Sequence, residues 1–418
     1  MSEFLPFIGT RYNRDKVKLS AVTSPPYDVI SPEYREELYA RSEHNVIRLE
    51  LNHDQDPYAS ANEHFQHWLK ESVLIRDERS RFYVYYQTFN DPDGREYTRQ
   101  GVIGRLRVTP YSEKQTLPHE RTLAAPKRDR LALMEATNAN LSPIFALIDD
   151  ESLVFDQTLE VATVNAPVAD IDERLENGET VRHMLWCLDD AIAVDRIEKI
   201  IGTQPIVIAD GHHRYETAVA FSELHPKNHG AQYLMVFISN LRASGTVILP
   251  THRVLYGMKD FNAYALFAKL REDYELHPYE RREDAYEALL HDQKAVTMIE
   301  LDEAPHFTIV RSRDERYASA LEGLPVMQLQ ERILKQGAGL TQAAIDNKTN
   351  LLYPHSLQER DEMVAARRDV NATFYLRPVT PAEMARVVEE GDYMPQKSTY
   401  FFPKLLTGLV IHEFGVQD

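Results

Sequence analysis

The chain has 418 residues, with 47 Lys and Arg against 65 Asp and Glu, a net charge of −18; 43% of its residues are hydrophobic. It is longer than one average domain, and its ordinary globular composition supports one or two full cores. The acidity excludes a broad nucleic-acid face, because neutralising phosphates needs clustered Lys and Arg. A small anionic ligand in a local pocket stays open.

Cys187 is the single cysteine. It permits no intrachain disulfide and no multi-cysteine zinc or iron–sulfur site, and its alternating apolar surroundings read as packing. Residues 1–10 lack the basic and apolar regions of a secretory signal. No run approaches the roughly 18 apolar residues of a membrane span. The expectation is a cytoplasmic protein with no membrane partner. Oligomeric state is left open.

In chain order, Ser31-Pro32-Glu33 carries an N-cap, an N1 proline and an acidic first turn, which predict a helix to about Arg41. Val46–Leu51 alternates and predicts a strand. Asp56-Pro57 opens a helix with Ala61, Phe65 and Trp68 on one face. Phe82–Phe89, the turn Asp93-Gly94 and Gln100–Thr109 predict a β-hairpin. Tyr111–Arg130 is polar and without clear periodicity. Strands follow at 144–148, 167–171 and 181–188, then a helix from Asp189-Asp190 to about Ile201. The strand Pro205–Ala209 runs into a helix ending near Leu224, and further strands are expected at 233–239 and 246–249.

Past Gly257 the pattern becomes helix–strand alternation. Helices are expected near 262–273, 283–292, 325–336, 357–368 and 381–390, and strands near 295–301, 306–311 and 372–376. Thr380, Pro381 and Gly391 supply the N-cap, N1 and C′ signals of the last helix. The boundary is drawn at Tyr256, giving domains 1–256 and 257–418.

The sharpest chemical signal is Ile208-Ala-Asp-Gly-His-His-Arg-Tyr215. A buried strand ends, Gly211 turns the chain, and polar side chains fall where a helix begins. A helix start presents N–H groups and a positive dipole end to an anion. Arg214 can grip a phosphate or carboxylate through two parallel bonds. His212 or His213 can move a proton near neutral pH. Asp210 can orient a histidine or hold a metal. Adjacent histidines project differently, which argues against a zinc site built on both. The alternative is a structural turn with a polar network.

The run Asp-Gly-His-His-Arg resembles the phosphate-holding signature of the partition-protein-B/sulfiredoxin superfamily. The free-serine kinases of that superfamily carry the nearest version, matching Asp210, Gly211, His212 and Arg214. Pro25-Pro-Tyr-Asp-Val-Ile30, Pro118-His-Glu-Arg-Thr122 and Met394–Lys404 extend the likeness. On these four segments the chain resembles the bacterial and archaeal family called domain of unknown function 1015.

The resemblance implies an α+β protein. It would have a partition-protein-B/sulfiredoxin-like mixed α/β N-terminal domain with a β-hairpin insertion, and a C-terminal α/β domain whose last segment returns to the active site. It also implies phosphoryl transfer to or from a small hydroxylated metabolite, serine or phosphoserine first, in the kinase or phosphatase direction. Mg²⁺ and a nucleotide are the expected cofactors, and no haem, flavin or iron–sulfur cluster is expected. The competing reading is a nucleotide-binding switch without turnover.

Candidate residues follow. Asp28 or Glu120 would accept the hydroxyl proton, with Glu120 alternatively a metal ligand, and His212 or His213 would act as acid or base. Arg214 and the N–H groups after Gly211 would hold phosphate, together with Asp210, His119, Arg121 and Thr122. His252 and Arg253 add a second His/Arg pair. Lys397, Ser398, Thr399 and Lys404 form an acid-free basic segment. Lys397-Ser-Thr lacks the glycines of a P-loop. A sulfiredoxin-like reaction would need a cysteine where His212 and His213 stand.

Overall fold

The computed structural model describes residues 2–92, 94–120, 125–175, 178–301, 306–313 and 317–416. The chain is α+β and forms two compact units. One comprises Met1–Pro118, Thr122–Val247 and Pro403–Asp418; the other comprises His119–Arg121 and Ile248–Phe402.

The first unit is built on a mixed sheet. Its strands are β1 (Phe4–Leu5), β2 (Phe82–Asn90), β3 (Glu96–Arg107), β4 (Thr116–Pro118), β5 (Ile144–Ile148), β6 (Ala169–Arg174), β7 (Thr180–Leu188), β8 (Ile206–Asp210) and β9 (Tyr233–Asn240). The order is β4-β8-β5-β9-β3-β2-β7-β6, with β1 paired to β3. β8 runs parallel to β4 and antiparallel to β5. The expected hairpin is β2–β3, with Tyr83 opposite Ile103 and Asn90 opposite Glu96. Asp93 of its turn lies outside the described residues.

Strand alternation gives β2 two different buried faces. Phe82, Val84 and Tyr86 enter the main apolar core beside Ile144, Ile197, Ile208 and Phe221. The other face is polar yet dry. Tyr83 donates its O–H to Asp77 at 2.7 Å, Tyr85 meets His183 Nδ1 at 2.6 Å, and Gln87 accepts from Arg99 Nε at 3.0 Å. Tyr83, Tyr85, Gln87 and Arg99 are all fully buried. Arg99 stacks 4.7 Å over the Phe145 ring. Desolvation pushes its pKa down to about 10, with the nearby Tyr85 and Asp210 opposing.

That polar face anchors the C-terminal segment. Gln87 Nε2 donates to the Lys404 carbonyl at 2.8 Å, the Arg99 guanidinium donates to the Pro403 carbonyl, and the Leu406 N–H meets Tyr85 Oη at 3.3 Å. Ser24 and Thr407, and Thr10 and Ile411, pair further along.

Helices of the first unit include α1 (Pro32–Arg41), α2 (Pro57–Lys70), α3 (Ala125–Thr137), α4 (Val154–Thr163), α5 (Ala191–Gly202) and α6 (His212–Leu224). Ser31 caps α1 by accepting from Tyr34 N–H, and Asp56 caps α2. Two expectations are corrected. Val46–Leu51 is not a strand: Ile47–Glu50 forms a short helix whose Ile47, Leu49 and Glu50 are buried. The stretch read as aperiodic holds β4 and the start of α3. Cys187 on β7 is half-buried, not enclosed.

The second unit carries an antiparallel sheet of β10 (Arg253–Tyr256), β11 (Tyr274–Tyr279), β12 (Ala295–Leu301), β13 (Phe307–Ser312), β14 (Leu351–Leu352) and β15 (Val370–Tyr375). Its order is β11-β13-β12-β15-β10-β14. The helices of this unit include α7 (Ala263–Asp273), α8 (Arg282–His291), α9 (Pro325–Gln328), α10 (Leu357–Ala365) and α11 (Pro381–Glu389). α9 continues as a π-helical segment over Leu329–Gly337, where Ala338 N–H reaches the Ile333 carbonyl. Thr380 and Glu383 form a reciprocal capping box at α11. β11 escapes a sequence reading because Pro278 interrupts it; an edge position tolerates that proline.

Candidate functional site

The Asp-Gly-His-His-Arg run occupies the junction of β8 and α6. Ile206, Ile208 and Ala209 are buried, and the register against β5 shifts between Ile208 and Asp210. Gly211 then adopts φ +93, and a Cβ there would stand 2.6 Å from Ile144 Cγ2. Only glycine meets both demands without strain. α6 begins at once with His212. Tyr215 is fully buried, donates to the Thr109 carbonyl at 2.9 Å and accepts from Thr109 N–H at 3.1 Å, which pins the first turn of the helix.

Asp210 lies at this junction with Lys404 Nζ 3.0 Å from its Oδ2. Burial alone would raise its pKa. The charges of Lys404 and Arg214, the Lys404 hydrogen bond and His212 outweigh that and hold it well below the usual carboxylate range. Arg214 is half-buried and donates through Nη1 to the Pro143 carbonyl at 2.8 Å and to Ser142 Oγ at 3.3 Å. These contacts hold its guanidinium head in place. His212 is buried and His213 half-buried.

A small cavity of roughly 40 Å³ opens beside Arg214, with Glu50, Arg130, Asn140 and Ser142 among its walls. Glu50 is buried and takes Arg130 Nη1 at 2.8 Å. The Arg130 guanidinium also lies 4.1 Å from the centroid of the Tyr27 ring. Burial raises the Tyr27 phenol, Arg214 and Arg130 pull it down, and Asp28 pushes it up. The Pro25-Pro-Tyr-Asp segment therefore lies in the electrostatic reach of Arg214. Asp28 is exposed in the single turn Tyr27–Val29.

The structure thus gathers Asp210, Gly211, His212, Arg214 and Lys404 at one junction, with Tyr27 in the field of Arg214. Glu50 and Ser142 are cavity residues that the sequence analysis missed. Neither carries a local signal: Glu50 stood inside an apparent strand, and Ser142 is an ordinary loop hydroxyl. Of the basic residues near 127–130, Lys127 is ion-paired with Glu216 and Arg130 with Glu50 and Asp129.

The other candidates form a cluster within the second unit. His119 is buried, with Nε2 2.7 Å from Thr399 Oγ1. Glu120 Oε1 accepts from the N–H groups of Ser398 and Thr399 at 3.1 and 3.2 Å and from the Thr399 hydroxyl at 3.2 Å. Thr399 thus donates to Glu120 and accepts from His119, which assigns the Nε2–H tautomer. Lys397 is left-handed at φ +60, and its carbonyl accepts from Arg253 Nη2 at 2.9 Å. Ser398 Oγ donates to the Pro395 carbonyl at 2.6 Å.

Arg253 is buried over the Tyr353 ring, and desolvation pushes it down to about 10 against the charges of Tyr353 and Glu120. His252 is fully enclosed and accepts Leu376 N–H on Nδ1 at 3.1 Å; burial, then the Arg253 and Arg360 charges, push it down to about 3. His252 is therefore neutral and serves packing and backbone capture. Arg121 and Thr122 lie outside the described residues.

Among the described residues no three His, Cys, Asp or Glu groups gather as metal ligands. No helix among them is long and apolar enough to cross a membrane. Mg²⁺ keeps several waters and needs only one or two carboxylates plus substrate phosphates. Asp210 is an ionised carboxylate at the β8–α6 junction.

Fold and site together define an α+β protein with an ionised, lysine-held aspartate and a tethered arginine at a strand–glycine–helix junction. The chain belongs to the family described as "Protein of unknown function (DUF1015)", whose model matches residues 4–329. No curated protein matches it. Among solved structures it is similar to a free serine kinase in complex with AMP at 14% identity, covering 71% of this chain and 89% of that one, with a TM-score of 0.37. A conserved hypothetical protein from Pyrococcus furiosus is 14% identical over 71% of this chain and 92% of its own, with a TM-score of 0.35. SbnI from Staphylococcus aureus is 10% identical over 74% and 89%, with a TM-score of 0.35.

Proposed function

We propose that the protein is a phosphoryl-transfer enzyme acting on a small hydroxylated metabolite, with serine or phosphoserine the first candidate. One observation carries the reading: Asp210, Arg214 and Lys404 converge where β8 turns through Gly211 into α6. Phosphoryl transfer asks the protein mainly for positioning and for cations around the transferring group. Arg214 and the α6 N-terminus supply fixed positive charge beside the cavity. Lys404 cancels part of the Asp210 charge, so an incoming phosphate meets a junction that is not net negative.

In the kinase direction, the metabolite hydroxyl oxygen would attack the terminal phosphorus of a nucleotide while that phosphorus–oxygen bond breaks. The hydroxyl proton would pass to Asp28, with His212 or His213 serving the leaving oxygen as acid. In the phosphatase direction, water would replace the hydroxyl and the same groups would exchange roles. Mg²⁺ would enter with the nucleotide, Asp210 being the carboxylate to hold it, and would screen phosphate charge. The Glu120–Thr399–His119 cluster and Arg253 are proposed to hold the 397–399 turn with its basic side chain.

The test is direct. Purified protein with Mg²⁺, ATP or ADP and L-serine, or with O-phosphoserine alone, is followed by phosphorus NMR. Phosphate transfer or release is expected, with Arg214→Ala lowering the rate by about 10²-fold. Silence with both substrates and with a wider panel of hydroxylated metabolites would remove the proposal. Calorimetry with ATP, ADP and CTP then shows whether nucleotide binds without turnover.

A further inference from the structure

Tyr27 opens the single turn Tyr27–Val29, directly after Pro25 and Pro26. The two prolines fix φ at successive positions and leave the chain little choice of direction there. Just before them, Ser24 pairs with Thr407, with N–H to carbonyl distances of 3.2 and 2.8 Å. Thr407 belongs to the C-terminal segment that carries Lys404 to Asp210. Within the first unit, the approach to Tyr27 and the lysine of the junction are therefore tied to one another.

The Tyr27 ring is also held by Arg130, whose guanidinium lies 4.1 Å from the ring centroid. Arg130 has little freedom. Its Nη1 donates to the Glu50 carboxylate at 2.8 Å, Nη2 to the Glu50 carbonyl at 3.0 Å, and Nε to Asp129 at 2.8 Å. Arg130 and Glu50 are both buried, and a buried ion pair stabilises a fold no better than well-packed apolar residues of the same volume. This pair fixes a flat cation against one tyrosine. Arg130 and Arg214 line the same cavity, so the ring stands beside the wall that Arg214 shares.

The phenol itself has no task in the fold. Tyr27 is half-buried, and among the described residues its hydroxyl has no hydrogen-bond partner. Burial raises its pKa above the ordinary value; Arg214 opposes the rise, Asp28 adds to it and Arg130 opposes it. The rise prevails, so the group keeps its proton and is an O–H donor in the field of Arg214. Packing under Arg130 needs only the ring. We propose that Tyr27 is a ligand-binding residue whose O–H donates to an oxygen of the phosphoryl group that Arg214 holds, whether that group belongs to a nucleotide or to a phosphorylated metabolite. The proposal rests on the phosphoryl-transfer reading of the junction. Arg214 supplies charge there, and Tyr27 supplies a directed donor that adds none.

The experiment is isothermal calorimetry on the full chain with Mg²⁺, titrating ADP and O-phospho-L-serine into the native protein, Tyr27→Phe and Arg214→Ala. Tyr27→Phe keeps the ring under Arg130 and loses only the O–H. It should weaken at least one of the two ligands about tenfold, as expected for one hydrogen bond to a charged group. Its melting temperature should stay within about 1 °C of the native value, because the hydroxyl has no partner in the free protein. Weakening of ADP alone assigns the bond to a nucleotide phosphate, and weakening of phosphoserine alone assigns it to the metabolite phosphate. Native binding that Arg214→Ala weakens and Tyr27→Phe leaves unchanged overturns the role of Tyr27 and spares the junction. Binding of neither ligand up to about 10 mM, or binding indifferent to Arg214→Ala, overturns the reading of the junction and the role of Tyr27 with it.

Discussion

Replacing Lys404 with methionine removes one charge while keeping the length and apolar stem of the side chain. At 3.0 Å the Lys404–Asp210 attraction is about 5 kcal/mol at an effective dielectric near 20. Most of that offsets desolvation of the two groups, whose side chains retain only 15% and 23% exposure. Arg214 remains as a second cation for Asp210. The expected net loss is about 2 kcal/mol, below the roughly 3–5 kcal/mol of an isolated buried pair. For a unit of this size that lowers the melting temperature by about 4 °C.

The pH dependence carries a sign. A carboxylate with a depressed folded-state pKa contributes stability that is fully present above its unfolded value, near 4, and lost as pH falls toward the folded value. Thermal unfolding of both proteins from about pH 7 to pH 3 should therefore show a gap that is full at neutral pH and begins to narrow only below about pH 4, the larger part persisting at pH 3. Equal melting temperatures at pH 7, or a gap indifferent to acid, would refute the account of Asp210 as an ionised, lysine-held group.

Three further outcomes are expected. Gly211→Ala meets both a positive φ and Ile144 at 2.6 Å, and should lose about 2–4 kcal/mol in denaturant unfolding along with any phosphate binding. Arg99→Met leaves Gln87 and the Pro403 carbonyl without their buried donor; a loss of about 2–3 kcal/mol and faster proteolysis near residue 403 should follow. Glu120→Ala strips the acceptor from the N–H groups of residues 398 and 399, and hydrogen exchange at those two amides should rise while exchange in β3 stays unchanged.

Much of the candidate site was legible because its determinants are local. A buried Ile-Val-Ile-Ala run, one glycine and a helix start follow each other without interruption, so Asp210 to Arg214 could be placed from neighbouring residues alone. The capping signals at Ser31 and Thr380 were equally local, since a side chain there satisfies an N–H three positions away. Val46–Leu51 shows the limit. Its alternation fits a strand, yet Asn45 ties that stretch to the Ala21 and Thr23 carbonyls, and a helical turn buries Glu50 against Arg130. Alternation over six residues cannot distinguish the two cases, because both faces are covered.

By itself the amino-acid sequence determined that this acidic chain holds a strand–glycine–helix junction carrying Asp210, His212, His213 and Arg214, and that its helix starts and hairpin fall where the caps and turn residues stand. Only the tertiary structure decided what those residues meet. Lys404 reaches Asp210 across 194 positions because β2 and β3 bury a polar face, Tyr85, Gln87 and Arg99, that captures the backbone at Pro403, Lys404 and Leu406. The same face orients Glu173 through His183. Hydrogen bonds between residues so far apart leave no periodicity in the chain, because their partners are chosen by which strands become neighbours and not by spacing along the backbone.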